Sequence, residues 1–79
     1  MDSMLRLPDV MQATGLSRAS VYLYAQNGLL TRPIKIGERS AAWPESEIDA
    51  INRARIAGKS ENDIKVLVTK LLRERSEQF

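Results

Sequence analysis

The 79-residue chain contains no cysteine and no histidine. That excludes disulfide staples, thiolate nucleophiles, zinc-finger ligand sets and the usual general base of neutral-pH catalysis. The missing cysteine also agrees with a reducing compartment. Aromatic residues are scarce, with one tryptophan, two tyrosines and one phenylalanine, so a core must be mostly aliphatic. No apolar run approaches the roughly 20 residues that a membrane-spanning helix needs. The opening Met1-Asp2-Ser3-Met4 lacks the apolar centre of a secretory signal. A soluble, intracellular protein with no membrane partner is expected. A chain of this length forms one small domain that buries about 60% of its unfolded surface, and oligomerisation is a common reinforcement at that size.

Net charge is also small, at +2, but it is unevenly spread. Between Val10 and Gly37 the charged residues are Arg18, Arg32 and Lys35, with no acid among them. From Pro44 onward, Arg53, Arg55, Lys59, Lys65, Lys70, Arg73 and Arg75 are matched by Glu45, Glu47, Asp49, Glu61, Asp63, Glu74 and Glu77. The positive excess therefore sits in the first half, as expected of a phosphate-contacting face.

That half contains Leu7 to Asn27, LPDVMQATGLSRASVYLYAQN, which reads as two short helices joined by a tight turn. Pro8 suits a first helical turn, and Asp9 beside it suits the positive end of the dipole. Thr14-Gly15-Leu16 stops this helix, Ser17 caps a second, and Gly28 ends that one. Helix, glycine turn and capped helix within about twenty residues is either a helix-turn-helix or an ordinary helical corner. On the second helix, Val21, Tyr24 and Ala25 share the core-facing stripe. Ala19, Tyr22, Leu23 and Gln26 lie opposite, with Arg18 on the flank, and such a face suits a DNA major groove. Tyr22 has two readings, a base contact or a filler beside the following hairpin.

The next stretch, Thr31 to Trp43, changes period. Pro33 holds Arg32 extended. Ile34-Lys35-Ile36 alternates as a half-buried strand with Lys35 outward, Gly37-Glu38-Arg39 turns, and Ser40-Ala41-Ala42-Trp43 returns. Such a hairpin is marginal alone, so Trp43 and both isoleucines are expected to pack on the helices. A hairpin following a helix-turn-helix is a wing, and Arg39 at its tip is placed to enter a minor groove or reach a phosphate. Met1 to Ser3 reads as a frayed tail, with Leu5 and Leu7 as core anchors. Pro44 opens a third helix rich in early acids, with Ile48 and Ile51 on its core stripe and Gly58 at its end. Ser60-Glu61-Asn62-Asp63 caps a fourth. Ile64, Leu67, Val68, Leu71, Leu72 and Phe79 form one broad apolar face on it. That face either folds over the domain or pairs with a second copy, and its width favours self-association.

Arg6-Leu7-Pro8, Gly15-Leu16-Ser17-Arg18, Val21-Tyr22, Pro33 to Gly37 and Trp43 followed by Glu45-Ser46-Glu47-Ile48 together resemble the AlpA family of prophage regulators. The resemblance covers roughly residues 5–57. It implies a winged helix-turn-helix of MerR-like, excisionase-like fold and a bacterial or phage origin. It also implies sequence-specific DNA binding, either to regulate transcription of a gene such as an integrase or to direct excisive recombination. By position it places Ser17, Arg18, Ser20 and Tyr22 on the recognition-helix motif, and Lys35 and Arg39 in the wing. Leu23 departs from the pattern, because the family commonly has arginine there. Leucine reaches a thymine methyl rather than a guanine edge, so a different target sequence is implied.

The expected fold is thus mainly α with a small β-hairpin. A winged helix-turn-helix DNA-binding domain occupies residues 1–58, and a C-terminal amphipathic helix occupies residues 59–79. Arg18, Tyr22 and Gln26 are expected at base edges or nearby phosphates. Ala19 and Leu23 share their face, and Ser17, Ser20, Lys35 and Arg39 serve the backbone. Double-stranded DNA is the expected partner, together with a homodimer or a cooperative multimer on DNA and, further, integrase or RNA polymerase. No cofactor, metal or enzymatic activity is expected, since no pair of acids is evidently gathered in a pocket. The alternative is a protein-interaction module, an antitoxin or adaptor, acting through the fourth helix.

Overall fold

The computed structural model describes residues 2–77. Along them run β1 (Met4–Arg6), α1 (Leu7–Thr14), α2 (Arg18–Gln26), β2 (Ile34–Gly37), β3 (Ser40–Pro44), α3 (Glu45–Ile56) and α4 (Glu61–Ser76). The helix ends are set locally. Gly15, at φ +74, closes α1 with its N–H on the Met11 carbonyl at 2.8 Å, a backbone conformation costly for any side-chain-bearing residue. Thr14 Oγ1 braces the turn, donating to the Val10 carbonyl at 2.7 Å and accepting from the Leu16 N–H at 3.3 Å. Ser17 Oγ caps α2 by accepting the Ser20 N–H at 3.2 Å, and Ser60 Oγ does the same for α4 through the Asp63 N–H.

The wing is part of a three-stranded antiparallel sheet in the order β1-β3-β2. The expected hairpin is present, and β1 adds to it a third strand that the sequence does not announce. Leu5 pairs with Trp43 and Arg6 with Ala42. Three residues are too few to carry an alternating signal, and their pairing partner lies far along the chain. Ile36 also differs from expectation. The register slips between Lys35, opposite Ala41, and Gly37, opposite Ser40. Ile36 is the extra residue of a bulge, which breaks the two-residue alternation, and its side chain is 48% exposed rather than packed on the helices. Ile34 is half-buried.

Val10, Val21, Leu30, Trp43, Ile48, Ile51, Ile64 and Val68 form one buried cluster. The Trp43 ring lies at its wing side, its Nε1 donating to the Thr31 carbonyl at 2.7 Å. α4 folds back over the domain, and its Leu67, Leu71 and Leu72 pack against the same cluster. Two long-range ties complete the fold. Of the expected frayed tail, Met1 lies outside the described residues, while Asp2 and Ser3 are fastened to α3, whose own cap position is Pro44, with no side chain able to cap. Asp2 supplies the cap: its Oδ1 accepts the Ser46 N–H at 3.0 Å and its Oδ2 accepts from Ser46 Oγ at 2.6 Å. The Ser3 carbonyl accepts the Glu45 N–H at 2.7 Å. At the other end, Arg75 forks onto buried Glu47, Nε to Oε2 at 2.8 Å and Nη2 to Oε1 at 2.6 Å, and also donates to the Arg32 carbonyl at 2.7 Å. Glu47 thus anchors the end of α4 besides sitting in the acid-favouring first turn of α3.

Candidate nucleic-acid interface

The exposed side of α2 is the one the periodicity selects. Val21 is buried and Tyr24 and Ala25 are half-buried, while Arg18, Ala19, Tyr22, Leu23 and Gln26 are exposed. Tyr22 retains 46% and Leu23 52% of its surface. No acid stands in the first turn of α2, so the positive end of the helix is uncompensated by its own side chains. Ser17 is exposed and Ser20 half-buried. Ser17 Oγ donates to Ser20 Oγ at 3.0 Å, which fixes both hydroxyls at the rim of that helix start.

Tyr22 sits beside the wing and keeps nearly half of its surface exposed. Its ring tilts against that of Trp43, with centroids 6.3 Å apart at 53°, the inclined arrangement aromatic pairs prefer. Tyr22 also lines a groove of about 400 Å³ between α2 and the wing. Arg6, Leu7, Pro8, Arg18, Arg39 and Ala41 complete the lining. Arg18, Tyr22 and Arg39, singled out separately in the sequence, therefore converge. Lys35 is exposed on β2 and lies opposite Ala41, and opposed residues of an antiparallel pair share a sheet face. It therefore stands outside the groove on the side of the sheet that bounds it. Gln26, Ala19 and Leu23 extend the face along α2 without entering the groove.

Arg6 is the residue that sequence reading did not assign to this surface. Its position became meaningful only once β1 joined the sheet beside β3, where its Nη2 donates to Ser40 Oγ at 3.3 Å. No carboxylate lines the groove. Among the described residues, Arg6, Arg18 and Arg39 form no ion pair. Arg53 and Arg55 in the second half differ. Arg53 pairs with Asp49 at 3.1 Å. Arg55 lies 4.9 Å over the Tyr24 ring and donates to the Leu29 carbonyl at 3.1 Å. Those interactions explain why neither is offered as a free cation.

The residues read as a self-association face are placed differently from one another. Ile64 and Val68 are buried in the core, and Leu67, Leu71 and Leu72 are half-buried against it; Phe79 lies outside the described residues. The width of that stripe, which argued for a second copy, is matched inside the molecule by α3 and the aliphatic cluster beneath it. Among the described residues no group of three or more His, Cys, Asp or Glu side chains is gathered to hold a metal ion. No helix there is long and apolar enough to cross a membrane.

No solved structure matches the chain. A relative, the uncharacterized protein ORF88 of Enterobacteria phage P4, is 38% identical over 55 residues. The match takes in 70% of this chain and 62% of that protein, so this chain spans under two thirds of its relative's length. The model of the prophage CP4-57 regulatory protein (AlpA) family matches residues 3–56, the stretch holding β1, the two helices of the turn, the wing and α3. The chain belongs to the AlpA family of prophage regulatory proteins.

Proposed function

We propose that this protein binds double-stranded DNA sequence-specifically, with α2 in the major groove and the wing on the adjacent backbone. The reading rests on one observation above the others: three arginines without acidic partners converge on the groove between the exposed side of α2 and the wing. In this arrangement Tyr22 and Gln26 reach base edges, and Ala19 and Leu23 offer apolar contact to thymine methyls. Arg18 takes a base edge or the phosphate beside it. Ser17, Ser20, Lys35 and the first-turn amides of α2 fix register on phosphates. Arg39 meets the backbone or the minor groove. The regulatory role of the family then follows as control of a promoter, such as that of an integrase gene, or as direction of excisive recombination, with integrase or RNA polymerase the protein partner in each case. Either outcome uses the same DNA surface and takes place in the bacterial cytoplasm.

The test is fluorescence anisotropy of the full chain on duplexes tiled through its own upstream region and the neighbouring attachment site, at several salt concentrations. One tile should bind well above the rest, with an affinity that falls steeply with salt. Equal, weak binding to every tile at 50 mM salt would refute the reading. Placement of the preferred tile in a promoter or in an attachment site separates the two roles.

A further inference from the structure

We infer that Arg6 belongs to the DNA-binding surface, and that it, Arg18 and Arg39 together clamp a single backbone phosphate at the junction of α2 and the wing. The inference rests on the DNA-binding reading and deepens it by naming the ligand of the groove. The three residues come from separate elements, β1, α2 and the wing turn, yet line one concavity of about 400 Å³. Nothing acidic lines it, and none of the three has an ion-pair partner among the described residues. Guanidinium groups gathered on one groove repel one another, and an anion between them relieves that repulsion. A phosphodiester matches the guanidinium fork in geometry and charge.

Arg6 is held for this task. It stands on a strand paired with the wing, and its bond to Ser40 Oγ leaves the remaining donors of a five-donor group free. Its neighbours Leu7 and Pro8 and the Tyr22 ring give the groove apolar walls, against which a sugar can lie. Because a phosphate is common to all sequences, Arg6 and Arg18 should set affinity and register rather than base preference.

The experiment measures binding of the full chain to its best duplex by anisotropy between 50 and 300 mM salt, for the wild type, R6Q, R6K and the control R53Q. It is repeated on duplexes carrying one neutral methylphosphonate at successive positions. R6Q should weaken binding about tenfold on matched and mismatched duplexes alike, and should shallow the salt dependence by about one unit. R6K should keep the salt slope while losing affinity, because it retains the charge without the fork. R53Q should match the wild type. One methylphosphonate position should weaken the wild type more than R6Q does, because it also removes the contacts of Arg18 and Arg39, and should cost R6Q less than it costs the wild type. Circular dichroism of R6Q should match the wild type, since Arg6 is exposed. An unaltered slope for R6Q, or losses from R6Q and every methylphosphonate that simply add, would overturn the clamp while leaving DNA binding standing. Failure of the wild type to bind any duplex would overturn both.

Discussion

The bond between Glu47 and Arg75 makes an asymmetric prediction. The Glu47 side chain is 6% exposed and that of Arg75 19%, joined by two charge-assisted hydrogen bonds at 2.6 and 2.8 Å. Arg75→Met strands a carboxylate that cannot turn to water, at a cost of about 3 kcal/mol, the lower end for breaking a buried pair. Glu47→Met leaves an arginine at the helix end that can swing outward, at a cost of about 1–2 kcal/mol. Adding Glu47→Met to Arg75→Met removes the stranded charge, so the double variant should be more stable than Arg75→Met alone. A domain of this size is held by roughly 4–12 kcal/mol, so the single variant consumes a large share. Its melting point should fall by about 12–24 °C. Urea unfolding followed by the fluorescence of Trp43, the sole tryptophan and fully buried, gives each corner of the cycle. If Arg75→Met costs under about 0.5 kcal/mol, the pair behaves like an exposed one. If Glu47→Met still destabilises the Arg75→Met background, stranding of the carboxylate is not the mechanism.

Three further outcomes are expected. Lys35→Ala should weaken binding to all duplexes alike and shallow the salt slope by about one unit, as read by anisotropy titrations at four salt concentrations. Trp43→Phe keeps an aromatic ring but orphans the buried Thr31 carbonyl that Nε1 holds at 2.7 Å. It should cost about 1–3 kcal/mol in a thermal melt. Without DNA, the chain should sediment as a monomer at tens of micromolar concentration, because Ile64 and Val68 are already covered; a dimer would show that α4 exchanges its intramolecular seat for a second copy.

What the sequence disclosed, and what it withheld, follows the range of each interaction. The stop of α1, both ends of α2 and the start of α4 were readable because Gly15, Ser17, Gly28 and Ser60 act within one turn of themselves. The outward face of α2 and the wing strands were readable because their periods are written in consecutive residues. The third strand was not, since its pairing of Leu5 with Trp43 leaves no trace in three residues. Asp2 looked like tail because the helix start it caps lies 44 residues away. The same distance effect hid Glu47 with Arg75, and it hid Arg6, whose arginine neighbours in the groove come from α2 and the wing turn. The breadth of the α4 stripe was legible in the sequence, but the share of it that Val10, Val21, Trp43 and Ile51 would meet was not, because those residues come from four other elements.

Arg32 and Arg73 also form no ion pair among the described residues, so what bears on function is the gathering of Arg6, Arg18 and Arg39 on one groove rather than their lack of partners alone. Arg53, Arg55 and Arg75 each have a partner that the fold supplies: Asp49, the Tyr24 ring with the Leu29 carbonyl, and Glu47. Arg6, Arg18 and Arg39 contribute no ion pair to the fold among the described residues and stand around one groove. No ion pair within the fold accounts for their placement there. The geometry of that groove is set in turn by Trp43. It pairs in register with Leu5 of the strand that carries Arg6, tilts against Tyr22 on α2, and ties the β3 strand to Thr31. One buried ring therefore fixes the spacing between the helix and the wing, so changes at Trp43 should lower DNA affinity by more than the lost fraction of folded protein explains.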